Sequence, residues 1–132
     1  MSQGIEHWIA ELRAKSADLR ATAAQKLATL GEQPAAALPL VAALDDADEQ
    51  VREWVAAALE SLGRPRQGDL AGLVGALAAD SSLQVYWAAT LLGRLGPSAA
   101  SAREALAQVA AAHADPSVKK RAAWALDRIE AA

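Results

Sequence analysis

The sequence has no cysteine and no phenylalanine, and its 132 residues include only four Trp, one Tyr and two His. Without cysteine there is no disulfide, no thiolate nucleophile and no Cys-built zinc or iron–sulfur site. Strands draw on aromatic and β-branched residues, and the scarcity of aromatics leaves them little support. No run of about 18 uninterrupted apolar residues occurs, so no transmembrane helix and no membrane role are expected. The opening MSQGIEHWIAELRAK lacks the basic-then-apolar order of a secretory signal. Nor is positive charge in excess, since 13 Lys and Arg stand against 16 Asp and Glu for a net charge of −3. A generic phosphate-binding surface shows itself as a basic stripe or a high pI, so nucleic acid is not expected as a partner. The remaining class is a cytoplasmic helical domain, expected as a single domain over 1–132.

What is abundant agrees with that class. Hydrophobic residues make up 53% of the chain, enough for a core, and alanine alone is roughly a quarter of it. Ala and Leu are the best apolar helix formers, and small side chains let helices approach closely. The composition points to an all-α fold.

The chain also repeats itself. Four blocks align in register: DLRATAAQKLATLG (18–31), QVREWVAAALESLG (50–63), LQVYWAATLLGRLG (83–96) and SVKKRAAWALDRIE (117–130). Their last large apolar residues, Leu30, Leu62, Leu95 and Ile129, recur at steps of about 32, 33 and 34 residues, a solenoid-type period. Within the second block Val51, Val55, Ala58, Leu59 and Leu62 form one helical stripe. A shorter apolar segment precedes each block, so each unit reads as a helical hairpin, an A helix followed by a B helix. Units are expected over 4–31, 34–63, 67–96 and 97–131. Gly31, Gly63 and Gly96 are placed to end B helices with positive φ, and Pro34, Pro65 and Pro97 follow where the helix cannot continue. Asp and Ser in the turns within hairpins are suited to capping the next helix. Pro39 places the start of the second A helix near itself.

These blocks resemble the HEAT-repeat family, in particular the short bacterial form read as Asp-x-x-Val-Arg-x-x-Ala-Ala-x-Ala-Leu-Gly-x-Leu-Gly, which also occurs in lyases of the bilin type. The second block carries Asp48, Val51, Arg52, Ala56, Leu59 and Leu62-Gly63. The first keeps Leu19-Arg20, Ala23-Ala24, Leu27 and Leu30-Gly31, and the fourth keeps Asp115, Val118-Lys119, Ala122-Ala123 and Leu126. The third departs, with Gln84-Val85 at the Val-Arg position. The resemblance implies an α-α superhelix of four hairpins, whose B helices line the concave side and whose recurring Arg links adjacent repeats. That link should be interrupted at the third unit.

Catalytic chemistry is hard to assemble from these residues. His7 and His113 come from opposite ends of the chain, which argues against joint metal ligation. Deoxyhypusine hydroxylase, a metalloenzyme with similar repeats, uses His-Glu dipeptides, and this chain has only the reversed Glu6-His7. Similar DNA glycosylases need a basic face and a catalytic carboxylate, and the basic field here is weak. No Ser/His/Asp order, P-loop or GxGxxG stands out. The acidic run Asp45-Asp46-Ala47-Asp48-Glu49 suits a helix start. No enzyme activity, cofactor or metal is expected.

Binding is the better supported role. Projecting the B helices at about 100° per residue collects Trp54, Tyr86, Trp87, Thr90, Arg94, Arg121, Trp124 and Arg128 on one side. Trp, Tyr and Arg are over-represented at binding hot spots. Leaving one Trp exposed forgoes roughly 4–6 kcal/mol, taking about 150–250 Å² at about 25 cal/mol per Å². Trp54 and Trp87 lie on the flank of the stripe, where packing between repeats is the competing explanation, whereas Trp124 projects more directly outward. Trp8 falls in an A-helix apolar stripe and reads as core. The expected function is a scaffold that binds another protein or peptide through the B-helix face. Two alternatives remain open: homo-oligomeric assembly through the ends of the stack, and a small-ligand or lyase-like role.

Overall fold

Turn chemistry divides the chain into helices of two lengths. The computed structural model describes residues 4–130, and within them there are eight α-helices and no strand. In chain order they are α1 (Ile5–Glu11), α2 (Ala17–Thr29), α3 (Ala37–Ala43), α4 (Glu49–Leu62), α5 (Leu70–Ala76), α6 (Ser82–Leu95), α7 (Arg103–Ala112) and α8 (Pro116–Glu130). The even-numbered helices are the repeated B blocks and run 13 to 15 residues, while the A helices have 7 to 10. Short 3-10 turns at Pro34–Ala36, Gln67–Asp69 and Gly96–Ala102 lead into α3, α5 and α7. The fold is all-α and made of helical hairpins, the class expected from the sequence. Residue 131, the end expected for the fourth unit, lies outside the described residues.

The caps explain where the B helices begin. Ser16, Asp48 and Ser81 each accept a backbone N–H three residues on, from Leu19, Val51 and Gln84, at 3.4, 3.0 and 3.3 Å. Each satisfies one of the donors that a helix start leaves unpaired. Gly31, Gly63 and Gly96 end the B helices with φ of 84°, 81° and 62°. At Gly63 and Gly96 ψ is −138° and −144°, so the chain leaves in the mirror-extended region that only glycine enters freely. Pro39 sits within the first turn of α3, which starts two residues earlier at Ala37. A first-turn N–H has no helical partner, so its absence costs nothing there.

The described residues fall into two compact units that part between Gly63 and Arg64, each holding two hairpins. In the first unit α2 packs along α4, with α1 on α2 and α3 on α4. Ala23, Ala24 and Leu27 of α2 and Val51, Val55, Ala58, Leu59 and Leu62 of α4 are buried. Ser61 Oγ donates to Ala28 O at 3.2 Å and ties the two B helices together. Leu19 and Leu30 hold the stripe positions of Val51 and Leu62, yet they are 52% and 50% exposed. Among the described residues no earlier hairpin packs on α2, and a repeat buries its stripe only against its neighbours.

The second unit repeats this plan with α6 along α8, α5 on α6 and α7 on α8. Here α6 is buried on nearly every side from Trp87 to Gly93. Its fourteen residues include one charge, Arg94, whereas α4 carries Glu49, Arg52, Glu53 and Glu60. A helix that is apolar all round belongs inside.

Candidate functional site

Arg121, Trp124 and Arg128 lie on α8 at i, i+3 and i+7 and so share one helix face. Tyr86 of α6 meets that face. The Arg121 guanidinium sits between two rings, with its carbon 4.9 Å from the Tyr86 centroid and 4.7 Å from that of Trp124. Its Nη2 donates to the Tyr86 hydroxyl at 2.8 Å, which fixes the fork in place. Arg128 stacks on the same indole from the next turn, 5.4 Å from the centroid, and its Nε reaches Gly93 O at 3.4 Å. Cation–π contacts of this kind contribute about 0.5–1 kcal/mol each at exposed sites.

Close approach of α8 to α6 depends on Gly93. A Cβ on Gly93 would meet the Trp124 ring within 3.0 Å of Cε3 and Cη2. The bare backbone is therefore the seat of the indole. Tyr86, Arg121 and Trp124 then line a shallow depression of about 260 Å³ together with Ser117 and Lys120. Tyr86, Arg121 and Trp124 are half-buried, and Ser117, Lys120 and Arg128 are exposed. Among the described residues, no carboxylate lies within ion-pairing distance of Arg121 or Arg128. The second unit has eight basic against six acidic residues, and the first has five against ten, for net charges of +2 and −5.

The residues singled out from the sequence thus separate into groups. Tyr86, Arg121, Trp124 and Arg128 come together. Trp87 is only 5% exposed, the packed one of the two orientations left open for it as a binding residue, and Thr90 is equally buried, which corrects the outward orientation projected for Thr90. The cause is the apolar character of α6. Trp87 packs edge-on against Tyr86, with centroids 5.9 Å apart, and Thr90 Oγ1 donates to Tyr86 O at 2.8 Å. Both support the face from below. Arg94 is half-buried, 5.8 Å from the Trp87 ring. Trp54 is half-buried on α4, in the first unit, and the cluster is drawn from the second alone. Ser117 and Lys120 were not singled out, although both lie one turn before the Arg121–Trp124 stripe on α8.

The first unit has a larger groove of about 790 Å³ between α1 and α3, floored by Ile9, Leu12, Pro39, Ala42 and Ala43. Nothing in the sequence pattern signalled it, because it follows from the brevity of the A helices. It offers no aromatic anchor, and its rim carboxylate Asp46 is already engaged. Arg20 Nε bonds Asp46 Oδ2 at 2.7 Å and its Nη1 donates to Ala14 O and Lys15 O. Arg52 Nη1 in turn donates to Asp46 O and Ala47 O. Burial pushes the Asp46 carboxyl up, but the Arg20 hydrogen bond, the Asp48 N–H and the charges of Arg20 and Arg52 outweigh it. The carboxyl is held below its ordinary value. Arg20 therefore bridges the first two hairpins, while in the third the matching Val85 is fully buried and carries no charge.

Both histidines make local contacts. His7 packs edge-on to Trp8 at 4.6 Å, and His113 Nδ1 accepts the Asp115 N–H at 3.0 Å. Trp8, read as core from the sequence, is half-buried, with Lys26 Nζ 5.9 Å from its centroid. Among the described residues no three His, Asp or Glu side chains gather as a metal site, and no helix is long and apolar enough to cross a membrane.

The model of HEAT repeats matches residues 5–86, well over half of the chain. The chain belongs to the HEAT-repeat family. Its HEAT match ends within α6 at Tyr86, so most of the α6–α8 cluster lies beyond the matched stretch. Solved structures similar to this HEAT chain include three engineered proteins, all crystal structures from the Northeast Structural Genomics Consortium. The first two have TM-scores of 0.65 and 0.64 at 22% and 23% identity, over 97% of this chain and 63% and 64% of theirs. The third has a TM-score of 0.61 at 21% identity, over 96% of this chain and 37% of its own. The chain thus spans less than two thirds of the length of each, and the likeness concerns the fold. A comparison with curated proteins finds no match.

Proposed function

We propose that this HEAT-repeat chain is a non-catalytic interaction module that holds a segment of another polypeptide on the α6–α8 face. The observation that carries the reading is the Arg121 guanidinium fixed between the Tyr86 and Trp124 rings at the wall of an open depression. Aromatic and Arg side chains of this kind bring large contact area at low conformational cost, and they dominate measured interface hot spots. Tyr86 stands on a buried stretch of α6 that includes Trp87 and Thr90, and its hydroxyl holds Arg121, an ordering in the free protein that lowers the cost of binding.

The test is affinity capture with the intact chain, followed by titration of the purified partner against wild type and Trp124→Ala. The reading expects at least a tenfold loss of affinity in a variant whose helical content and cooperative unfolding are retained. Equal affinity for the two proteins would refute it.

A further inference from the structure

We infer that the α6–α8 face recognises an acidic stretch of its partner polypeptide, with Arg121 taking a side-chain carboxylate at the mouth of the Tyr86–Trp124 depression. The inference rests on the proposed binding role of that face and adds the chemistry of what is bound. Four observations support it.

Arg121 has unused donors. A guanidinium carries five N–H groups in a planar fork, and a single hydrogen bond, to Tyr86, occupies Arg121. Its other N–H groups remain for a ligand, and a carboxylate accepts two such bonds at a time.

The charge there is uncompensated. Among the described residues two other arginines are ion-paired, Arg20 on Asp46 at 2.7 Å and Arg66 on Asp69 at 3.3 Å. Arg121 and Arg128 have no ion-paired carboxylate among the described residues, and Lys120 joins Arg121 as a second cation lining the depression. Lys120 and Arg121 lie in the second turn of α8 and Arg128 in its last.

The walls are apolar. Tyr86 and Trp124 flank the guanidinium, so the methylene stem of a glutamate, or an apolar neighbour, has a surface to lie on. Charge and apolar contact at one spot describe a peptide better than a bare anion.

The chain as a whole is acidic. The few cations at the face fall short of the extended basic stripe that the dense phosphates of a nucleic acid call for, in a chain of net charge −3. A polypeptide can present a few carboxylates to this face and keep the rest of its charge neutral.

The test uses the full chain and a displayed library of random dodecapeptides, selected on wild type and counter-selected on Trp124→Ala. Selected peptides are expected to be enriched in Asp and Glu. Their affinity should fall at least tenfold with Arg121→Gln, fall partly with Arg121→Lys, weaken with added salt, and stay unchanged with Arg103→Gln on α7, a residue that does not line the depression. Exchanging the peptide's Glu for Gln should cost a similar factor. Circular dichroism confirms that each variant is folded. Should Arg121→Gln not fold, the Glu-to-Gln peptide exchange on wild type decides alone. Trp124-dependent peptides without acidic bias, or indifferent to the Glu-to-Gln exchange, would overturn the carboxylate inference and leave the binding role standing. If no selected peptide depends on Trp124, the binding role fails with it. Phosphoserine peptides or oligothymidine binding tenfold more tightly than the Glu peptide would reassign the face to phosphate. Sedimentation of wild type as a dimer that Arg121→Gln dissociates would reassign it to a second copy, whose α4 exposes Glu49, Glu53 and Glu60.

Discussion

Trp124 of α8 lies over the bare backbone of Gly93 on α6, so closely that a Cβ on Gly93 would come within 3.0 Å of the indole Cε3 and Cη2. Replacing a mid-helix glycine by alanine ordinarily stabilises a helix by about 1 kcal/mol. Here the added methyl must expel the indole, and overpacking of this kind costs about 1–3 kcal/mol. Gly93→Ala is therefore expected to destabilise the protein, while the same change in a Trp124→Ala background should stabilise it. Urea unfolding of the four proteins in a double-mutant cycle reads the sign directly.

Two tryptophans of the second unit should separate stability from binding. Trp87 is 5% exposed, so Trp87→Ala removes a core side chain and should cost about 3–5 kcal/mol. Trp124 is half-buried, and Trp124→Ala should cost roughly 1–2 kcal/mol from lost area and cation–π contacts. Denaturant midpoints at constant slope check the ordering.

The Arg20–Asp46 pair should make the first unit acid-sensitive. Because the Asp46 carboxyl is held below the ordinary aspartate value of 3.8, its contribution is fully present above that value. It is lost as the pH falls through the lower, folded-state value. Asp46→Asn should lower Tm at pH 7, and its difference from wild type should shrink toward zero in acid. Thermal melts from pH 7 to pH 2 measure this.

Asp48 caps α4 with a 3.0 Å bond to the Val51 N–H, whereas Ser81 reaches the Gln84 N–H of α6 at 3.3 Å. Asp48→Ala should cost about 1 kcal/mol and Ser81→Ala less. Chemical denaturation of both variants tests the order.

Most of the hairpin plan was legible because it is local. Helical stripes, glycine stops and Asp or Ser caps are each written within a few residues, and the structure places its helices accordingly. Burial depends on neighbours instead. Leu30 and Leu62 hold the same repeat position, yet one is half exposed and the other buried, since among the described residues only α4 has an earlier B helix packed on it. The register that projected Thr90 outward, and left Trp87 open between binding and packing, treated α6 as amphipathic, although its single charge already marked it as an interior helix. Gly93 could be seen in the sequence as part of the family pattern, but its contact with Trp124 crosses 31 residues and needed the structure. Lys120 falls in the same projected column as Tyr86 although it was not singled out, and Ser117 was within reach of that projection had it been carried one turn further back.

The central claim, that a polypeptide partner sits on the α6–α8 face, is tested most directly by the indole N–H signals of Trp8, Trp54, Trp87 and Trp124 in a two-dimensional NMR titration with that partner. The account predicts that the Trp124 signal shifts or broadens along the binding curve while those of Trp8 and Trp54 stay in place. A Trp124 signal unmoved at saturation, with Trp8 or Trp54 shifting instead, would contradict it.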